Sequence, residues 1–200
     1  PNADFESWTG NSPDNWTVSN APGLEPVTRS DDAHSGTFAL KGEVISLAGA
    51  PIPPTVWAGD QETQSFSLTE RHARLKGYYK LQPVNGDTIV ITATIQRGDR
   101  ATMAIGVLKL FSTQDSYTEF ELALQYNADI TGSPAFGTLH IVVLPPTDTL
   151  PSIGTSYQLD ALSYDGIATS VSELPQIPRG LALQQNFPNP FNPSTLIPFR

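Results

Sequence analysis

Ile89-Val90-Ile91-Thr92-Ala93-Thr94-Ile95-Gln96 is the stretch whose reading decides the fold. Its isoleucines fall on one face, its threonines and Gln96 on the other. That period of two is what a half-buried strand requires. Working outward, similar runs occupy 37–46, 63–68, 75–81, 102–111, 118–126, 138–144 and 157–164. Breakers separate them at Gly49 to Pro54, Asn85-Gly86-Asp87, Gly98-Asp99, Gly132-Ser133-Pro134 and Pro145 to Pro151. Such clusters read as turns and loops. No long stretch carries a helical apolar period with caps. Roughly eight to ten short strands over residues 1–166 predict an all-β fold, an antiparallel jelly-roll β-sandwich.

Composition supports that reading and removes several functions. The chain has 200 residues, of which Pro and Gly make 18 and 15, while charged residues are only 16%. That profile suits a turn-rich β protein and lacks the charge density of a disordered one. A net charge of −9 disfavours nucleic acid and anionic membrane as partners. With no cysteine, a disulfide framework and a thiolate metal site are excluded. Four prolines and the polar Gln184, Gln185 and Asn186 interrupt the uncharged stretch 180–199, so a membrane-spanning helix is not expected there. Pro1 is not followed by a basic and then an apolar region, as in a chain whose export leader has gone.

Beyond Gly166 the texture changes. Residues 167–179 read as an extended linker with Pro175 and Pro178. Residues 180–200 follow as an extended, Pro-rich C-terminal arm in which prolines alternate with Asn and Phe. Prolines at this density exclude a central strand. The string Leu181-Ala182-Leu183-Gln184-Gln185-Asn186-Phe187-Pro188-Asn189-Pro190-Phe191-Asn192-Pro193-Ser194-Thr195 resembles the opening of the C-terminal sorting domain of the bacterial type IX secretion system. The resemblance covers about twenty residues. It implies an extracellular or outer-surface location, and the type IX machinery as a partner during export.

The front of the chain resembles, more loosely, the jelly-roll modules of such secreted proteins, among them carbohydrate-binding-module-like domains. Four patches carry the likeness in order: Asp4-Phe5-Glu6-Ser7-Trp8 with Pro13-Asp14-Asn15-Trp16; Ala33-His34-Ser35-Gly36-Thr37-Phe38-Ala39-Leu40-Lys41; Leu75-Lys76-Gly77-Tyr78-Tyr79-Lys80; and Ile153-Gly154-Thr155-Ser156-Tyr157-Gln158-Leu159-Asp160-Ala161-Leu162. In the last, Ala161 replaces a second aspartate of the family pattern. The resemblance implies a structural calcium held by Glu6 and Asp160, with Asp4 and the Lys41 carbonyl nearby, since calcium takes hard oxygen ligands.

Three classes of function follow. Catalysis has no support: His34, His72 and His140 lie in unrelated stretches, and no G-x-S-x-G elbow, phosphate loop or zinc spacing occurs. Sugar binding needs exposed aromatic rings, for which Trp57, placed in a Pro/Gly-rich loop, and Tyr78 and Tyr79 are the candidates. Tyr78 and Tyr79 are adjacent, so in a strand one of them faces away from the core. Trp8 and Trp16 are expected in the core or sealing its edge. The third class is assembly. Leu181, Leu183, Phe187, Phe191, Leu196, Ile197 and Phe199 make the arm apolar enough to pack on a neighbouring subunit. Such head-to-tail contacts build homo-polymers. Read from sequence alone, the chain is a secreted, non-catalytic subunit of a filament, tube or surface layer, with glycan binding as the alternative. Asp87-Thr88-Ile89 and Asp148-Thr149-Leu150 also resemble a short O-glycosylation signal.

Overall fold

A computed structural model describes residues 2–168, together with the backbone of 187–192 and 194–196. The described residues contain no helix. Sixteen strands build the front unit: β1 (Trp8–Thr9), β2 (Ser12–Pro13), β3 (Trp16–Val18), β4 (Val27–Ser30), β5 (Ala39–Glu43), β6 (Ile45–Leu47), β7 (Ala50–Ile52), β8 (Thr55–Ala58), β9 (Phe66–Ser67), β10 (His72–Gln82), β11 (Thr88–Arg97), β12 (Thr102–Leu110), β13 (Gln114–Ala123), β14 (Gln125–Tyr126), β15 (Pro134–Leu144) and β16 (Ser156–Ile167). All pair antiparallel.

Two sheets hold most of them. A five-stranded sheet runs β13-β10-β16-β5-β4, and a seven-stranded one runs β14-β12-β11-β15-β8-β3 with β9 beside β15. The chain switches sheets between β10 and β11, β12 and β13, and β15 and β16. That exchange is the jelly-roll pattern predicted above.

The alternation seen in Ile89–Gln96 turns one side of each sheet inward. Ile89, Ile91, Ala93 and Ile95 from β11 are buried, and they meet Leu75, Tyr79 and Leu81 from β10 and Tyr157 and Leu159 from β16 in one core. Phe5 and Trp16 seal one part of it, their rings 5.0 Å apart. Fully burying each large aliphatic side chain is worth about 2 kcal/mol, so this inner layer dominates stability.

Two readings need correction. Gly49 to Pro54 is not only a breaker: β6 and β7 form a hairpin across Ala48 and Gly49, both at positive φ (50° and 88°). Two such residues are what a tight type I′ turn demands. Trp57 is not in a loop but in β8, where Val56 and Ala58 point inward and Trp57 outward.

Further along the chain, β17 (Phe187–Asn192) pairs with β18 (Ser194–Leu196) as a separate hairpin. Pro188 and Pro190 sit in a two-stranded ladder, where a missing N–H is tolerated. Of the expected assembly residues, Phe187, Phe191 and Leu196 have their backbone in this hairpin; Leu181, Leu183, Ile197 and Phe199 lie outside the described residues.

Candidate functional site

The outer faces of the two sheets are where side chains are free to act. On the five-stranded sheet the even positions of β10 point outward, and nearly all of them are engaged. Arg74 pairs with Asp165 at 3.0 Å and Glu121 at 3.3 Å; Lys76 reaches Asp165 at 3.3 Å; Lys80 reaches Asp32 at 2.6 Å. These contacts hold the Arg74 pKa above its ordinary value, through hydrogen bonds to Asp165 and Glu121; the Gly166 N–H, then Lys76 and Arg74, lower that of Asp165.

A loop, 31–38, folds over the same face. Asp160 is fully buried, and its Oδ2 accepts the N–H groups of His34 and Ser35 at 2.8 and 2.9 Å. Its Oδ1 accepts the Ala161 N–H at 2.6 Å. Glu6 Oε1 accepts the N–H groups of Phe38 and Thr37 at 2.9 and 2.8 Å, and these bonds lower its pKa. Gly36 turns the loop between the two carboxylates at φ 69°; a Cβ there would sit 2.3 Å from Glu6 Oε1. Only glycine meets both demands. The run His34-Ser35-Gly36 is thus a backbone clamp.

This arrangement does not fit the calcium site that the resemblance implies. Three of the four oxygens of Glu6 and Asp160 face N–H donors, whose positive ends would oppose a cation sharing those oxygens. Lys41 lies inside the ladder, opposite Thr28 and Gln158, with its ammonium 2.7 Å from Glu43. Asp4 is exposed. Among the described residues, no three His, Asp or Glu side chains gather as a metal-binding group.

The clamp also decides the tyrosines. His34 stacks on Tyr78 with ring centroids 3.5 Å apart, and Tyr117 meets His34 edge-on. Tyr117 is fixed in turn, its hydroxyl 2.6 Å from the Asp32 carbonyl. Tyr78 therefore has a face covered from within the molecule. Tyr79 is corrected outright: it is buried in the core against Phe120.

The outer face of the seven-stranded sheet is different. Register places Val107, Thr92, His140, Trp57 and Thr17 in one row across five strands. Ile105, Thr94 and Thr138 form the next row, with the two threonine hydroxyls 2.7 Å apart. Lys109, Val90, Val142 and Thr55 form the row on the other side. Lys109 is the one charged residue in these rows. Ile105 and Val107 are 46% and 55% exposed.

Trp57 and His140 stack at 4.9 Å and 9°, so each holds the other upright. One face of Trp57 is thereby covered, and the other overlooks the small Thr17 of β3, the last strand on that side. Burial holds the His140 pKa below its ordinary value, and its Nε2 is buried with no hydrogen-bond partner among the described residues. A neutral ring suits this position. The sequence named His140 only in weighing catalysis and Thr92 only as a strand residue; the pairing of β15 with β8 and β11 brings them beside Trp57.

The comparisons with known proteins bear on the fold. A carbohydrate-binding module specific for non-crystalline cellulose, CBM28, aligns at a TM-score of 0.52 and 14% identity, over 82% of this chain and 92% of that one. The module TmCBM61, solved with β-1,4-galactotriose, aligns at 0.51 and 13%, over 82% and 96%. The likeness is one of fold. The arabinose-bound α-L-arabinofuranosidase MgGH51 aligns at 0.50 and 15% over 81% of this chain, which spans only 25% of that enzyme. No protein-family model and no curated protein matches the chain.

Proposed function

We propose that the chain is an extracellular glycan-binding module that holds a neutral polysaccharide on the outer face of its seven-stranded sheet. The observation that carries this reading is the row Val107–Thr92–His140–Trp57–Thr17: an indole held upright by a stacked histidine, flanked by hydroxyls, on a nearly uncharged surface. Sugar rings present C–H groups to an aromatic face and hydroxyls to neighbouring polar groups, and such a surface offers both. A fold shared with a module specific for non-crystalline cellulose and with one solved bound to β-1,4-galactotriose supports it further.

The assembly reading rests on the arm alone, whereas the Trp57 row and the shared sandwich fold both support sugar binding. Within it, the arm serves export, as the resemblance to the type IX sorting domain implies, and places the module outside the cell.

The test is a glycan array followed by titration of the best hit. Trp57→Ala should weaken binding of that hit roughly thirtyfold while the thermal unfolding curve stays close to that of the parent. Undiminished binding by that variant would overturn the proposal.

A further inference from the structure

A second cleft, independent of the Trp57 face, lies at the edge of the five-stranded sheet. It measures about 350 Å³ and is lined by Trp8, Asn11, Glu25, Thr28, Arg29 and Asp31. That is within the range of small-ligand sites. Sequence reasoning expected Trp8 in the core or sealing its edge; the structure instead leaves it half-buried, as one wall of this cleft.

Three observations make the cleft more than a gap between side chains. First, the indole is fixed from behind: its Nε1 donates to the carbonyl of the fully buried Phe5 at 2.6 Å. Among the described residues no other ring or cation stacks on it, in contrast to Trp57 and Tyr78. Second, among the described residues Arg29 forms no ion pair with a carboxylate, although Glu25 and Asp31 line the same cleft. Its guanidinium rests 4.1 Å from the centre of the Phe38 ring, which orients the fork while leaving its N–H groups free. Third, Asn11 donates its amide to Glu25 Oε1, which holds that carboxylate in place with its other oxygen to spare.

An indole wall beside one guanidinium and two carboxylates suits a ring with adjacent hydroxyls. The guanidinium donates to one hydroxyl oxygen, a carboxylate accepts from the next, and the ring's C–H face lies on Trp8. The lining charges sum to minus one, which disfavours acidic sugars. We infer that this cleft is a second saccharide site, taking one end of a neutral sugar chain through adjacent hydroxyls.

The experiment uses the full chain labelled with 5-fluorotryptophan, whose three tryptophans give separate fluorine resonances assigned by Trp8→Phe and Trp57→Phe. The probes are the methyl glycosides of galactose, glucose and mannose, with glucuronic acid as the acidic comparison. The expected result is that at least one neutral glycoside shifts the Trp8 resonance and glucuronic acid does not. The shift should persist in Trp57→Ala, and Arg29→Ala should weaken it about tenfold or more. No Trp8 shift with any neutral glycoside, or a stronger response to glucuronic acid, overturns the inference. Loss of the Trp57 response alone would count against the sheet-face proposal and leave this one standing.

Discussion

The two outer faces of this sandwich are built from the same alternation and end in opposite states. On the five-stranded sheet, Arg74, Lys76 and Lys80 are spent on Asp165, Glu121 and Asp32, and a clamped loop lays His34 over Tyr78. On the seven-stranded sheet the outward residues are threonines, valines, Ile105, His140, Trp57 and a single charge, Lys109, and their main mutual contacts are one ring stack and one hydroxyl pair. A face whose polar groups already satisfy each other gains little from a ligand. A face with an upright indole, flanking hydroxyls and no ion-pair network has something to gain. The difference teaches where to look for binding: at the surface with the fewer internal partners, even though the other holds more aromatic rings.

The largest effect should come from opening the closed face. Asp160→Ala removes a fully buried acceptor and orphans the N–H groups of His34, Ser35 and Ala161. Each unsatisfied group costs about 1–3 kcal/mol, so urea unfolding should show a loss of about 3 kcal/mol or more. Trp57→Ala is next and acts on the other face. Glycan affinity should fall by about 2 kcal/mol, roughly thirtyfold, as aromatic anchors do, with the melting temperature little changed.

Chelation comes third, as a sharp negative. Because the oxygens of Glu6 and Asp160 are taken by backbone amides, EDTA should leave the melting temperature where it was. A fall on chelation, restored by calcium, would mean that the clamp is rearranged around a metal.

A smaller effect is set by pH. The His140 pKa is depressed in the folded chain by burial. The unfolded chain therefore takes up the proton first as pH falls, and the associated stability is complete above the unfolded value of about 6.5. It is lost progressively below it. Stability should decline from pH 7 to pH 5, before the carboxylates titrate, and His140→Gln should remove that decline. Smallest of all, Lys80→Ala should barely move the melting temperature, because exposed ion pairs contribute little.

Much of this molecule could be read in the chain. The long strands were legible because ten or more residues of alternation leave a clear period, as in β10, β11 and β15. β1 to β4 and β8 escaped notice for a physical reason: two to four residues carry too little periodicity, and Pro53-Pro54 ahead of Thr55 reads as a loop. Trp57 could be named as a candidate from its residue type. Its partners could not, because His140 and Thr92 come to it only through cross-strand register. Trp8 shows the converse limit. Its position in the family-like opening suggested the core or the sealing of its edge, and the left-handed Phe5 at φ 53° takes the fully buried place beside Trp16, leaving Trp8 half-buried. Such a backbone reversal leaves no signal in hydrophobic pattern.

The most direct test of the account is affinity electrophoresis through gels containing a soluble neutral polysaccharide, for the parent chain, Trp57→Ala and Lys80→Ala side by side. The account predicts full retardation of the parent and of Lys80→Ala, and retardation weakened by about tenfold or more in Trp57→Ala. Retardation that is undiminished in Trp57→Ala but disappears in Lys80→Ala would contradict it, and would move the binding surface to the ion-paired face.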